Sequence, residues 1–232
     1  MRNQLVFNGK SLSDFGVYLT NSGIYTIPNR SVELVNVPGR DGSLVLDNGS
    51  FENIEIEYPC VIHDGFDTKF IEMSSFLSSQ IGYCRIEDNF YPEHFRIGRF
   101  VSVNNKSVSP DGSIGTFIIK FNCKPQRFLK SGDEVIEIEQ SGMIRNSTLH
   151  NAKPKIRLYG IGSLVVGSRT LTIDPLYPNS YIDIDCDMMN ASYGNTNFNN
   201  YVSGEFPILE PGDNTITWGG SSAEITPRWW TL

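Results

Sequence analysis

One stretch of the chain carries a clear helical period: Phe66 to Ile81, FDTKFIEMSSFLSSQI. Phe66, Phe70, Met73, Leu77 and Ile81 fall at steps of four, three, four and four, the spacing of one helical face. Asp67 is placed to cap the start, and Gly82 follows the last apolar residue, so one helix is expected over about 67–80. Nearly everything else reads as short strands and turns. The 232 residues include 21 Gly, 12 Pro and 12% aromatics, which suits turns and strands better than a helical bundle. The expected class is therefore mainly β, with one helix laid against the strands.

Taken in order, residues 2–7 form a first strand ending at the hairpin signal Asn8-Gly9. A strand over 33–37 runs into Pro38-Gly39-Arg40-Asp41-Gly42. Two glycines permit positive φ there and Pro38 lacks a donor, which makes a constrained loop with one charge of each sign at its tip. Residues 43–46 resume a strand, and Asn48-Gly49 reads as another turn. Along 51–62, Ile54 and Ile56 alternate with Glu55 and Glu57, one face apolar and one acidic. After the helix come strands over 82–86, 95–103 and 115–123, with Pro110-Asp111-Gly112 as a turn.

Ser131-Gly132-Asp133 is the best boundary, dividing the chain into 1–130 and 131–232. The first part holds 13 basic and 14 acidic residues, the second 6 and 12, so the charge of −7 lies mostly in the second. The second part has short strands at regular spacing, Gly, Asn, Pro and Ser in the gaps, and no helix, the pattern of a β-sandwich. Asn190 to Asn200 reads as a polar loop too rich in Asn to pack as core.

Reactive chemistry is hard to place. His63, His94 and His150 stand far apart, and His63-Asp64 reads better as a polar helix-entry turn than as a base with its carboxylate. Asp183, Asp185 and Asp187 share one strand face and could hold Ca²⁺, but a polar outer face is the plainer reading, as it is for Glu137 and Glu139. Cys60, Cys84, Cys123 and Cys186 show no metal spacing and read as reduced thiols, three of them in the core. Gly160-Ile161-Gly162 opens no helix and reads as a turn. No catalytic residue, cofactor or metal is expected. The net charge gives no bulk footprint for nucleic acid. Arg96 and Arg99 lie among aromatics in a pattern nucleic-acid binding would use, yet on a strand they face opposite ways, and a solvated or interface face is the stronger reading. Trp218, Trp229 and Trp230 leave a carbohydrate-binding β-sandwich as the alternative function, although Trp218 alternates with Ile216 as a packing residue. The N-terminus has no apolar signal core and no run approaches membrane-spanning length, so synthesis and folding in a cytoplasm are expected.

The order of several segments resembles the distal tail protein (Dit) family of long-tailed, siphovirus-type phages. The segments are Val37-Pro38-Gly39-Arg40-Asp41-Gly42-Ser43-Leu44, the helix, the stretch Tyr91 to Phe100, and Phe121-Asn122-Cys123-Lys124-Pro125. In the second part they are Asn146-Ser147-Thr148, Leu171-Thr172-Ile173-Asp174, Leu209 to Ile216 and Ile225-Thr226-Pro227-Arg228-Trp229. The resemblance implies a structural virion protein rather than an enzyme. It implies an N-terminal β-sandwich or barrel-like domain that builds a six-subunit ring around the DNA channel. It implies a galectin-like, jelly-roll C-terminal β-sandwich that faces outward. The partners implied are further copies of the chain, the tail tube protein, the tail-associated tip protein, the tape measure protein and, in many phages, a receptor-binding protein. DNA would pass through without specific binding, and the place would be the tail tip of a virion assembled in the bacterial host. Pro38, Gly39, Arg40, Asp41, Gly42, Arg96 and Arg99 are the candidate subunit-interface residues.

Overall fold

The structure, a computed structural model, describes residues 3–232, and Arg2 of the expected first strand lies outside them. The chain divides into two compact units: one runs to Arg127 and takes in Leu232, the other is Phe128–Thr231.

The first unit contains β1 (Leu5–Phe7), β2 (Lys10–Ser11), β3 (Val17–Leu19), β4 (Ile24–Tyr25), β5 (Arg30–Asn36), β6 (Ser43–Phe51), β7 (Ile54–Ile62), α1 (Phe66–Ser79), β8 (Cys84–Asp88), β9 (His94–Val108) and all but the last two residues of β10 (Gly115–Leu129). Its main sheet is ordered β2-β1-β8-β9-β10-β7-β3, with β4 also on β7. The alternation along β7 is real: Ile54, Ile56, Tyr58, Cys60 and Ile62 point inward. Helix α1 is the element the sequence marked. It buries Phe66, Met73 and Leu77, and Phe70 meets Phe117 edge-to-face at 5.2 Å. Two details differ. The N-cap is Gly65, which supplies no side-chain bond, while Asp67 sits in the first turn, where a carboxylate favours the helix dipole. Ile81 lies past the helix end and is 94% exposed, because Gln80 leaves the helical conformation.

The Asn48-Gly49 turn is also corrected. Both residues lie inside β6, where the ladder slips between Arg30 and Val32 and Gly49 takes φ 70° with its N–H donated to Asp47 Oδ1 at 2.8 Å. Asn-Gly here makes a bulge rather than a reversal, because pairing continues on its far side at Arg30 and Phe51.

The second unit contains β11 (Ile136–Ile138), β12 (Ser141–Asn146), β13 (Lys155–Tyr159), β14 (Gly162–Val166), β15 (Arg169–Ile173), β16 (Tyr181–Asp185), β17 (Asn190–Tyr193), β18 (Thr196–Asn197), β19 (Val202–Gly204), β20 (Gly212–Trp218), β21 (Ser222–Thr226) and β22 (Trp230–Thr231). Two antiparallel sheets, ordered β11-β21-β13-β16-β17-β18 and β12-β20-β14-β15-β19, pack their inner faces into one core. Ile156, Leu158, Ile182 and Ile184 line one side; Leu164, Leu171, Ile216 and Trp218 line the other. This is a β-sandwich. The Asn-rich stretch is not a plain loop: it forms the β17–β18 hairpin with Ala191 fully buried. Its asparagines satisfy one another and the backbone, as in the Asn197 Nδ2 bond to Asn190 Oδ1 at 2.7 Å.

Buried asparagines explain two sequence segments. Asn146 Nδ2 donates to the carbonyls of His150 and Leu209 at 2.9 and 3.0 Å, and its Oδ1 accepts from Thr148. Asn214 accepts from Glu210 N and returns a bond to Glu210 O, both at 2.8 Å. Each closes a loop that would otherwise bury bare peptide groups. The four cysteines are free thiols. Burial pushes Cys60, Cys123 and Cys186 up to about 12.

Candidate interaction site

Among the described residues, strands β5 and β6 pair only with each other. Val32, Leu34 and Val45 share one face of this ribbon by register, and Val35, Leu44 and Leu46 share the other. Leu34 is 63% and Val45 57% exposed. A two-stranded hairpin is marginal by itself in water, and one that is apolar on both faces has nothing of its own to cover it. Local polar contacts hold its shape. Arg30 Nε donates to Asp47 Oδ2 at 2.5 Å, and Ser43 Oγ to Asn36 Oδ1 at 2.7 Å. The backbone N–H of Gly49 first, and Arg30 second, keep the Asp47 carboxyl below its usual range.

The loop Pro38-Gly39-Arg40-Asp41-Gly42 is the tip of this hairpin. Its backbone turns through Arg40 N to Val37 O at 3.2 Å, with Gly39 and Gly42 at φ 81° and 76°. Every tip residue is exposed, and no ion pair joins Arg40 to Asp41 among the described residues. Arg99 lies elsewhere, exposed on β9. Arg96 on the same strand is 5% exposed and stands over the Tyr25 ring at 4.4 Å, so it is not a solvated side chain. The structure thus gathers five of the seven candidate residues at one tip and sets the two arginines apart. Sequence reasoning missed the six aliphatic side chains along the hairpin. Apolar residues on successive strand positions were the available signal, and that pattern ordinarily means a strand buried on both faces.

The other chemical candidates resolve into structural pairs. Asp64 binds Lys69 at 2.8 Å at the helix entry. Arg157 holds Asp183 with two bonds of 2.8 and 3.0 Å, Arg228 holds Asp185 with two of 2.8 Å, and Lys153 meets Asp187 at 3.2 Å. Each carboxylate of that row is matched by a cation, and no cluster able to hold a metal occurs among the described residues. Trp218 and Trp229 are buried, and Trp230 stacks on His150 at 4.2 Å while its Nε1 donates to Asn151 O. Among the described residues no helix is long and apolar enough to cross a membrane.

No protein-family model and no curated protein matches the chain. Solved structures do. The crystal structure of SPP1 Dit (gp 19.1), described as a paradigm of the hub adsorption apparatus in phages infecting Gram-positive bacteria, matches with a TM-score of 0.73 and 15% identity, over 97% of this chain and 98% of that one. The phage p2 baseplate in its activated conformation with Sr matches at 0.49 and 11%, over 96% and 97%. The chain therefore has the fold of SPP1 Dit along nearly its whole length.

Proposed function

We propose that the chain is a structural subunit of a phage tail tip, a distal tail protein whose first unit closes a ring of six copies. The free-standing hairpin, in a chain with the Dit fold, carries this proposal. Five exposed aliphatic side chains and the partly covered Val35 seek cover, and a neighbouring copy supplies it through a heterologous contact that closes into a ring. Covering them contributes about 1 kcal/mol each. The role is mechanical: the ring joins the tail tube to the tip protein and the receptor-binding apparatus, and DNA passes through it. A first part with 13 basic and 14 acidic residues suits a channel that should not grip phosphate.

Light scattering on the purified chain tests this, with a mass six times that of one chain as the expected result. Arg40→Glu at the hairpin tip should lower that mass; an unchanged mass takes the tip out of the contact. Single-chain mass at every concentration, with solitary particles in negative stain, would overturn the ring.

A further inference from the structure

The first unit holds a small open cavity of about 20 Å³, bordered by Tyr25, Tyr58, Asp88, His94, Arg96 and Arg127. Arg96 is 95% buried, and among the described residues its Nη1 and Nη2 have no hydrogen-bond partner, nor has Arg127 Nε. A guanidinium stays protonated at any ordinary pH, so burying one without a partner is costly. Asp88, the carboxylate on the cavity wall, does not answer it. Asp88 Oδ1 accepts the N–H groups of Phe90 and Tyr91 at 3.0 and 3.1 Å, and Tyr58 donates to Oδ2 at 3.4 Å. Tyr25 covers one face of the Arg96 group and leaves its edge for bonds in the plane. Burial first, then the Arg127 charge, holds His94 below its ordinary 6.5, which leaves it neutral at pH 7. Glu93 and Asp88 act on His94 in the opposite sense to the two arginines, yet neither accepts a hydrogen bond from Arg96 Nη1 or Nη2 among the described residues.

We propose that this cavity is a binding site for one carboxylate, gripped by the edge of the Arg96 guanidinium with Arg127 beside it. The arginine fork matches the two oxygens of a carboxylate. The cavity, small and partly open, admits only a small group and excludes a sugar or nucleotide. The carboxylate comes either from a small free ion or from an Asp or Glu side chain of a second copy.

Thermal unfolding of the full chain in sodium acetate, with sodium chloride holding ionic strength constant, is the test. At ten times its Kd, acetate should raise Tm by about 4 °C. Arg96→Gln should abolish the rise, and Arg127→Gln should weaken acetate binding several-fold. Circular dichroism checks that each variant folds; if Arg96→Gln does not, Arg127→Gln decides. Light scattering separates the sources. A folded variant that loses oligomeric mass, which saturating acetate also lowers in the native chain, places the carboxylate on a second copy; a Tm response at unchanged mass assigns it to a small ion. Acetate binding is read on a chain of any mass, so its outcome is separate from that of the ring. The site is overturned if the acetate response is absent, or equal in both variants and the native chain, while the mass stays constant.

Discussion

Hairpin β5–β6 and strand pair β13–β16 are made alike and placed differently. Both are antiparallel ladders of aliphatic residues, and both carry an arginine–aspartate contact, Arg30 with Asp47 and Arg157 with Asp183. In the sandwich Ile156, Leu158, Ile182 and Ile184 are 0% exposed, whereas Leu34 of the hairpin is 63% exposed. Ladder bonds and ion pairs set the shape of a strand pair without deciding whether it can stand alone. Cover decides that: the sandwich supplies it from its second sheet, whereas Val32, Leu34, Leu44, Val45 and Leu46 of the hairpin stand exposed.

The sharpest break of this comparison is a matched truncation. Ile184→Ala should cost the second unit about 3 kcal/mol in urea unfolding, from lost transfer energy plus the cavity left behind. Asp185→Asn comes next, at about 2 kcal/mol, because it strands Arg228 half-buried. Acid titration adds a signature. Burial raises the Asp185 carboxyl, but the Arg228 bonds and the Met188 N–H outweigh it and leave it below 3.8. A depressed folded value gives stability that is present above about pH 4 and lost as pH falls through the folded value. The variant should lack that part of the acid loss. Leu34→Ala should change unfolding of the chain by less than about 0.5 kcal/mol and yet weaken self-association several-fold in a dilution series. If it destabilises as Ile184→Ala does, the hairpin is already covered within its own chain. The smallest effect belongs to Asp47→Asn, which should leave Tm unchanged, since an exposed ion pair contributes little.

The sequence disclosed what depends on neighbours along the chain. The phase of α1, the inward set on β7 and the tip turn at Pro38–Gly42 follow from local spacing and backbone preference. It failed where a distant segment decides. Asn48-Gly49 has the chemistry of a turn, but ladder pairing beyond it at Arg30–Phe51 makes it a bulge. Asn190–Asn200 is polar by composition, yet the edge of a sheet draws Ala191 into the core. Arg96 sits among aromatics on an ordinary strand, and only β4, laid across β7 some 70 residues earlier in the chain, puts Tyr25 against it. The hairpin's exposure was least legible, because its residues are those of a strand covered on both sides.

The sulfur chemistry carries a practical consequence. With three thiols sealed and held as neutral S–H, oxidants and alkylating reagents find no thiolate at Cys60, Cys123 or Cys186. Cys84, half-buried on β8, is left as the single addressable handle of the native fold. A maleimide should attach one label per intact molecule and four per unfolded one, so the labelling ratio counts how much of a preparation is properly formed.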